Sequence, residues 1–141
     1  MTNTPKGNVL FVDDDKFLAD IYGMKFTAAG YGVEAHLSTD EALSALRNGF
    51  KPDAIVFDLI MPEHDGFFLL QVLRGERLAE GAALIALTNQ SNDSERVKAE
   101  RLGVDRYVVK ASMIPSEVVA VAGEEIEKKR RTTSSAQSAL Q

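Results

Sequence analysis

Five side chains of the sequence stand where an apolar run stops. Asp13 and Asp14 follow NVLFV, Asp58 follows DAIVF, Thr88 follows AALIAL, and Lys110 follows VDRYVV. If Asp13, Asp14 and Asp58 approach to about 4 Å, each pair repels by ~4 kcal/mol at an effective dielectric of about 20. Three such pairs rival the roughly 5–15 kcal/mol that holds a whole domain together. Such a cluster demands a cation. Oxygen donors without thiolate or paired histidine favour Mg2+, which takes one or two carboxylates and keeps several waters. Lys110 adds a second, fixed positive charge. Three carboxylates, a metal, a hydroxyl and an ammonium suit phosphoryl transfer, with one carboxylate attacking phosphorus in line while the cations neutralise the equatorial oxygens. The product would be an acyl phosphate.

For these groups to meet, the runs that precede them must lie side by side. Residues 8–12, 53–57 and 82–87 are short and rich in Val, Ile, Phe and other apolar residues, as buried strands are, and VDRYVV at 104–109 reads as the last strand; 31–37 alternates less cleanly and suits an edge strand. Helical stretches alternate with them at 16–30, 38–49, 66–75, 92–103 and 115–131. The first helix carries Phe17, Ile21, Met24 and Ala28 on one face and Gly30 past its end. Ser38 or Thr39 suits the cap of the second, and Pro115 the first turn of the last. Strand and helix in alternation predict an α/β domain with a five-stranded parallel sheet and helices on both faces. Ligands gather outside the carboxyl ends of such strands, where the polar residues stand.

Composition narrows the field. The 141 residues suffice for one domain. With 16 Lys and Arg against 21 Asp and Glu, the net charge of −5 argues against a broad grip on nucleic acid. No cysteine is present, which removes disulfides and thiolate metal sites and is compatible with a reducing cytoplasm. The first apolar run is too short for a signal peptide or membrane span, so a soluble cytoplasmic domain is expected.

With VLFVDDD, VFDLIMPEHDG, ALT and YVVK in this order, the chain resembles the receiver domain of bacterial two-component response regulators from residue 7 to about 131. The resemblance implies a flavodoxin-like (βα)5 fold with strand order 2-1-3-4-5. It implies that Asp58 accepts a phosphoryl group from a sensor histidine kinase or phosphotransfer protein. Mg2+ would be held by Asp14, Asp58 and the Ile60 carbonyl, with Asp13 acting partly through water. Thr88 would bond one phosphoryl oxygen and Lys110 another. Tyr107 would then swing inward into the space Thr88 vacates and remodel the face of the fourth helix, fifth strand and fifth helix, for a partner or for homodimerisation. Such a domain catalyses only its own phosphorylation and dephosphorylation.

Competing readings exist. Asp15 reads better as a helix cap than as a ligand. A haloacid dehalogenase-type phosphatase also uses an aspartyl nucleophile, but would carry a second aspartate two residues on, where Ile60 stands. An interaction-only pseudo-receiver would have lost the phosphoacceptor or the lysine. His36 and His64 lack a ligand spacing and receive no catalytic or metal role. Two departures from the family pattern stand out. Ala111 follows Lys110 where proline is usual, so a trans peptide is expected there, and Asn89 replaces the usual small residue after Thr88. The cations at 128–131 complement the end of the last helix, and the polar stretch 132–141 is expected to be a disordered tail. A stand-alone receiver and the front end of a longer regulator both remain open.

Overall fold

The computed structural model describes residues 6–139, of which 133–139 are described by backbone alone. Five strands, β1 (Asn8–Val12), β2 (Gly32–His36), β3 (Ala54–Asp58), β4 (Ala83–Thr88) and β5 (Arg106–Val109), form one parallel sheet in the order β2-β1-β3-β4-β5. The helices are α1 (Lys16–Ala28), α2 (Thr39–Arg47), α3 (Gly66–Glu76), α4 (Asp93–Arg101) and α5 (Pro115–Ala139). The chain thus has the flavodoxin-like fold. All five residues of β3 are buried, as an apolar strand covered on both faces must be, whereas the polar β2 takes the sheet edge.

Side chains alternate across the strands and feed two cores. Leu10, Val12, Ile55, Phe57 and Ala86 pack with α2 and α3 residues such as Leu43, Leu69 and Leu70. Their neighbours Val9, Phe11, Val56, Ile85 and Leu87 face Ala19, Tyr22 and Phe26 of α1 and Val118, Ala122 and Ile126 of α5. A strand whose two faces both disappear from water cannot slip by one residue without exchanging these partners, so the register is firmly held.

α1 corrects the reading of its sequence. The stripe through Phe17 and Met24 points outward, with these residues 75% and 66% exposed, and the buried stripe runs through Ala19, Tyr22 and Phe26. Both stripes have helical period, so periodicity alone could not choose. Asp15 sets the phase by accepting from Leu18 N, and Tyr22 stacks on Phe11 of β1 with centroids 4.7 Å apart. Ser38, Asp65 and Asn92 cap α2, α3 and α4 in the same manner.

α5 also runs further than expected, to Ala139, through most of the stretch read as a disordered tail. Residues 124–139 contain neither glycine nor proline. A helix begun by its packed first turns therefore meets no residue that terminates it, and Thr132 Oγ1 donates to the Lys128 carbonyl 2.9 Å away. Residues 140–141 of the expected tail lie outside the described residues.

Gly66 opens α3 directly behind the end of β3. A Cβ there would lie 2.7 Å from the Asp58 carbonyl oxygen and 2.8 Å from Leu59 Cα, both backbone atoms that cannot rotate away. Gly75, in the same helix, has open space around its missing Cβ. Gly66→Ala is expected to lower stability by about 2 kcal/mol through overpacking, and Gly75→Ala to raise it by about 0.5–1 kcal/mol. Urea denaturation of the two variants measures the contrast.

Candidate functional site

Strand order and register assemble the site. The sheet reverses direction of growth between β1 and β3, which makes their carboxyl ends neighbours and opens the crevice characteristic of such folds. Val12 pairs with Phe57, so the next residues, Asp13 and Asp58, leave the sheet side by side. Leu87 pairs with Asp58, and Val109 with Thr88. Each strand thus delivers its polar residue at or just beyond the last rung of the ladder. Carboxylate oxygens of Asp13, Asp14 and Asp58 lie within 4.8 Å of one another.

Lys110 closes this cluster across the whole sheet. Its Nζ donates to Asp13 Oδ2 at 2.8 Å and to Asp58 Oδ2 at 3.0 Å. Asp13 and Asp58 are 0% and 4% exposed, so neither can rely on water for its charge. Their other oxygens are met by backbone donors: Asp15 N reaches Asp13 Oδ1 at 2.9 Å and Ile60 N reaches Asp58 Oδ1 at 3.0 Å. Burial pushes the Asp58 carboxyl above the ordinary carboxylate value, and the opposing Ile60 amide and Lys110 ammonium do not fully offset it. Burial also works against the charge on Lys110, yet its hydrogen bond to Asp13 and the fields of Asp58 and Asp13 outweigh that and raise its pKa. No cis peptide bond occurs among the described residues, and Lys110–Ala111–Ser112 form a 3-10 turn. Alanine after the lysine is therefore compatible with a well-aimed ammonium.

Exposed Asp14 and buried Asp13 and Asp58 offer only oxygen donors, a set that fits a hard divalent cation and includes no soft ligand. The histidines stay out of it. His64 Nδ1 contacts Asp40 Oδ1 at 2.8 Å and its ring stacks on Phe68, while His36 pairs with Glu34.

Beside Asp58 a cleft of about 370 Å³ is lined by Ile60, Thr88, Asn89, Gln90, Ser91, Asn92 and Glu95. Thr88 Oγ1 donates to the Gln90 carbonyl at 3.2 Å. Tyr107 is drawn to the start of α4, where its hydroxyl lies 3.0 Å from Glu95 Oε1, 3.3 Å from Asn92 N and 3.4 Å from the Gln90 carbonyl. Burial and the Glu95 hydrogen bond both raise the phenol pKa. Thr88 and Tyr107 thus meet at one loop, where the Gln90 carbonyl and the Glu95 side chain join them. Gln90 acts through its backbone, which carries no residue signature. Glu95 reads in sequence as an ordinary acid in the first turn of a helix.

Comparison with known proteins agrees with this geometry. The response regulator receiver domain family matches residues 9–121. Curated relatives include a probable transcriptional regulator ycf27 from Porphyridium aerugineum, 34% identical over 105 residues that cover 74% of this chain and 42% of the relative. Response regulator SaeR from Staphylococcus aureus is 33% identical over 112 residues, 79% of this chain and 47% of that protein. The chain spans less than half the length of these relatives. Among solved structures, a CheY-like receiver domain protein from Methanospirillum hungatei superposes with a TM-score of 0.82 at 25% identity, covering 92% of this chain and 99% of its own. The receiver domain of Francisella response regulator 1452 gives 0.78 at 27% identity, over 87% and 98%. With a carboxylate cluster and a lysine at the switch point of a 2-1-3-4-5 sheet, and a family match over most of its length, the chain belongs to the response regulator receiver domains of two-component systems.

Proposed function

We propose that residues 7–131 act as a phosphorylation-driven signalling switch in the cytoplasm, with Asp58 as phosphoacceptor and a sensor histidine kinase or phosphotransfer protein as donor. The observation that carries this reading is the Lys110 ammonium bridging Asp13 and Asp58 at 2.8 and 3.0 Å. It favours the ionised, nucleophilic form of the buried Asp58 against the opposing effect of burial, and it stands where the oxygens of a phosphoryl group would arrive. In the transfer, an Asp58 oxygen forms the bond to phosphorus while the phosphorus–nitrogen bond of the donor phosphohistidine breaks and its electron pair returns to the imidazole. Asp14, Asp58 and the Ile60 carbonyl would hold Mg2+, with Asp13 contributing partly through water. When bound, the ion neutralises the charge of the phosphoryl oxygens. Thr88 then bonds one of these oxygens and Lys110 another.

Thr88 can make that bond only by releasing the Gln90 carbonyl. Tyr107 moves into the vacated space, and the face formed by α4, β5 and α5 changes for a regulated partner or a second copy of the chain. Catalysis is confined to the domain's own phosphorylation and dephosphorylation. The net charge of −5 leaves nucleic acid binding to other parts of any longer protein, and no helix among the described residues is long and apolar enough to cross a membrane.

Incubation with acetyl phosphate and Mg2+ is expected to give one labile phosphoryl adduct by intact-mass spectrometry, absent in Asp58→Asn and after chelation by EDTA. Rapid hydrolysis of phosphoesters without any adduct would instead indicate a phosphatase. In thermal unfolding, saturating Mg2+ should raise the wild-type Tm by ~3 °C, and Asp14→Asn should lose most of that rise. Lys110→Met removes the cation shared by two buried carboxylates and is expected to cost about 3 kcal/mol near neutral pH. The pH dependence has a definite sign. Asp58 already titrates above its ordinary value, and losing the ammonium moves it further up. The folded variant then holds its proton more tightly than the unfolded chain, so the penalty is full above the folded pKa and shrinks as pH falls through it. Urea denaturation at about pH 7.5 and about pH 5 measures the difference.

A further inference from the structure

The start of α4 carries a hydrogen-bond arrangement that the phosphoryl chemistry does not require. In an ordinary capping box the N-cap side chain accepts from the third helical residue's amide, and that residue's acidic side chain reaches back to the N-cap amide. Asn92 and Glu95 satisfy the first half, with Asn92 Oδ1 accepting from Glu95 N at 2.9 Å. The return half is occupied by a third party. Asn92 N donates to the Tyr107 hydroxyl at 3.3 Å, and that hydroxyl donates in turn to Glu95 Oε1 at 3.0 Å. A phenol has one proton. The shorter, charge-assisted acceptor takes it, which leaves the Gln90 carbonyl at 3.4 Å a weaker second partner and free to accept from Thr88.

We propose that Glu95 is a positioning residue that latches Tyr107 into the capping box of α4 and thereby sets how readily phosphorylation of Asp58 throws the switch. Departure of Tyr107 strands neither partner, because Glu95 can then close on the Asn92 amide directly. The helix start therefore has two capped forms, one bridged by tyrosine and one without it, and Thr88 selects between them through the Gln90 loop. Such a two-form element, biased by a single charge-assisted bond, is what a small local event needs in order to move a helix face. The inference rests on the phosphorylation reading.

The test uses the whole chain labelled with 3-fluorotyrosine, whose three tyrosines, Tyr22, Tyr31 and Tyr107, give separable fluorine resonances assigned by Tyr→Phe variants. Beryllofluoride with Mg2+ serves as the phosphoryl mimic. Glu95→Ala should move the ligand-free Tyr107 resonance toward its beryllofluoride-bound position and tighten beryllofluoride binding by about three- to tenfold. Glu95→Gln, which keeps an acceptor, should restore most of the wild-type behaviour. In a Tyr107→Phe background the Glu95→Ala effect on affinity should vanish. An unmoved Tyr107 resonance in Glu95→Ala, or an affinity change that persists without the Tyr107 hydroxyl, overturns the latch while leaving the switch intact. A wild-type chain that takes up no beryllofluoride overturns the phosphorylation reading and the latch with it.

Discussion

One ammonium group shared by two buried carboxylates governs this domain. Asp13 and Asp58 are adjacent because parallel register makes them so, and adjacency of two ionised groups away from water is unfavourable by several kcal/mol at any reasonable dielectric. Lys110 contributes two attractions against that one repulsion, and the amides of Asp15 and Ile60 satisfy the oxygens it does not reach. Asp58 still titrates high, chiefly because burial strips water from its charge and only secondarily because Asp13 stands beside it. A hard divalent cation held by the carboxylates of Asp13, Asp14 and Asp58, which gather within 4.8 Å of one another, would offset that penalty.

The scaffold's contribution is positional. Asp13, Asp58, Thr88 and Lys110 are spread over 98 residues of sequence, and four separate strands deliver them to one edge. Each strand is anchored by side chains on both faces, so the reach of any polar residue beyond the sheet is set within about one residue rise. Gly66 belongs to the same construction: its missing side chain lets α3 start against the Asp58 carbonyl, and Asp65 caps that helix. Asp58 is thus held by backbone as well as by charge.

Residues of this kind are readable from sequence because they interrupt something. A polar or charged side chain directly after a run of apolar residues breaks a pattern, and Asp13, Asp58, Thr88 and Lys110 each do so. Asp15 was legible as a cap for the same reason of position. Where two apolar stripes share one helix, as on α1, period does not say which is buried; the Phe11–Tyr22 stack that decides it is a contact between elements. The extent of α5 escaped for want of a breaker, since a polar composition argues against packing but does not itself end a helix. Glu95 escaped for a further reason, as did the part played by the Gln90 carbonyl. Glu95 works through a phenol twelve residues away on β5 and Gln90 through its backbone, and neither relation leaves a mark on local composition.

The uneven anchoring of the helices explains why the proposed conformational response falls on α4. Five residues of α3 are buried, among them Phe67, Leu69, Leu70 and Leu73, whereas Ala99 is the single buried residue of α4. At roughly 1.5–3 kcal/mol for each large apolar side chain removed from water, α3 is fixed by several such terms and α4 by a fraction of one. Further hold on α4 comes from Leu102 at its C-cap, partly buried against the core, and from groups at its surface, Lys98 over the Phe67 ring and the Glu95–Tyr107 bond. Charge-assisted hydrogen bonds at a phosphorylated Asp58 would each be worth only about 1.5–3 kcal/mol. That is too little to move α3, and enough to reset a helix that buries a single alanine.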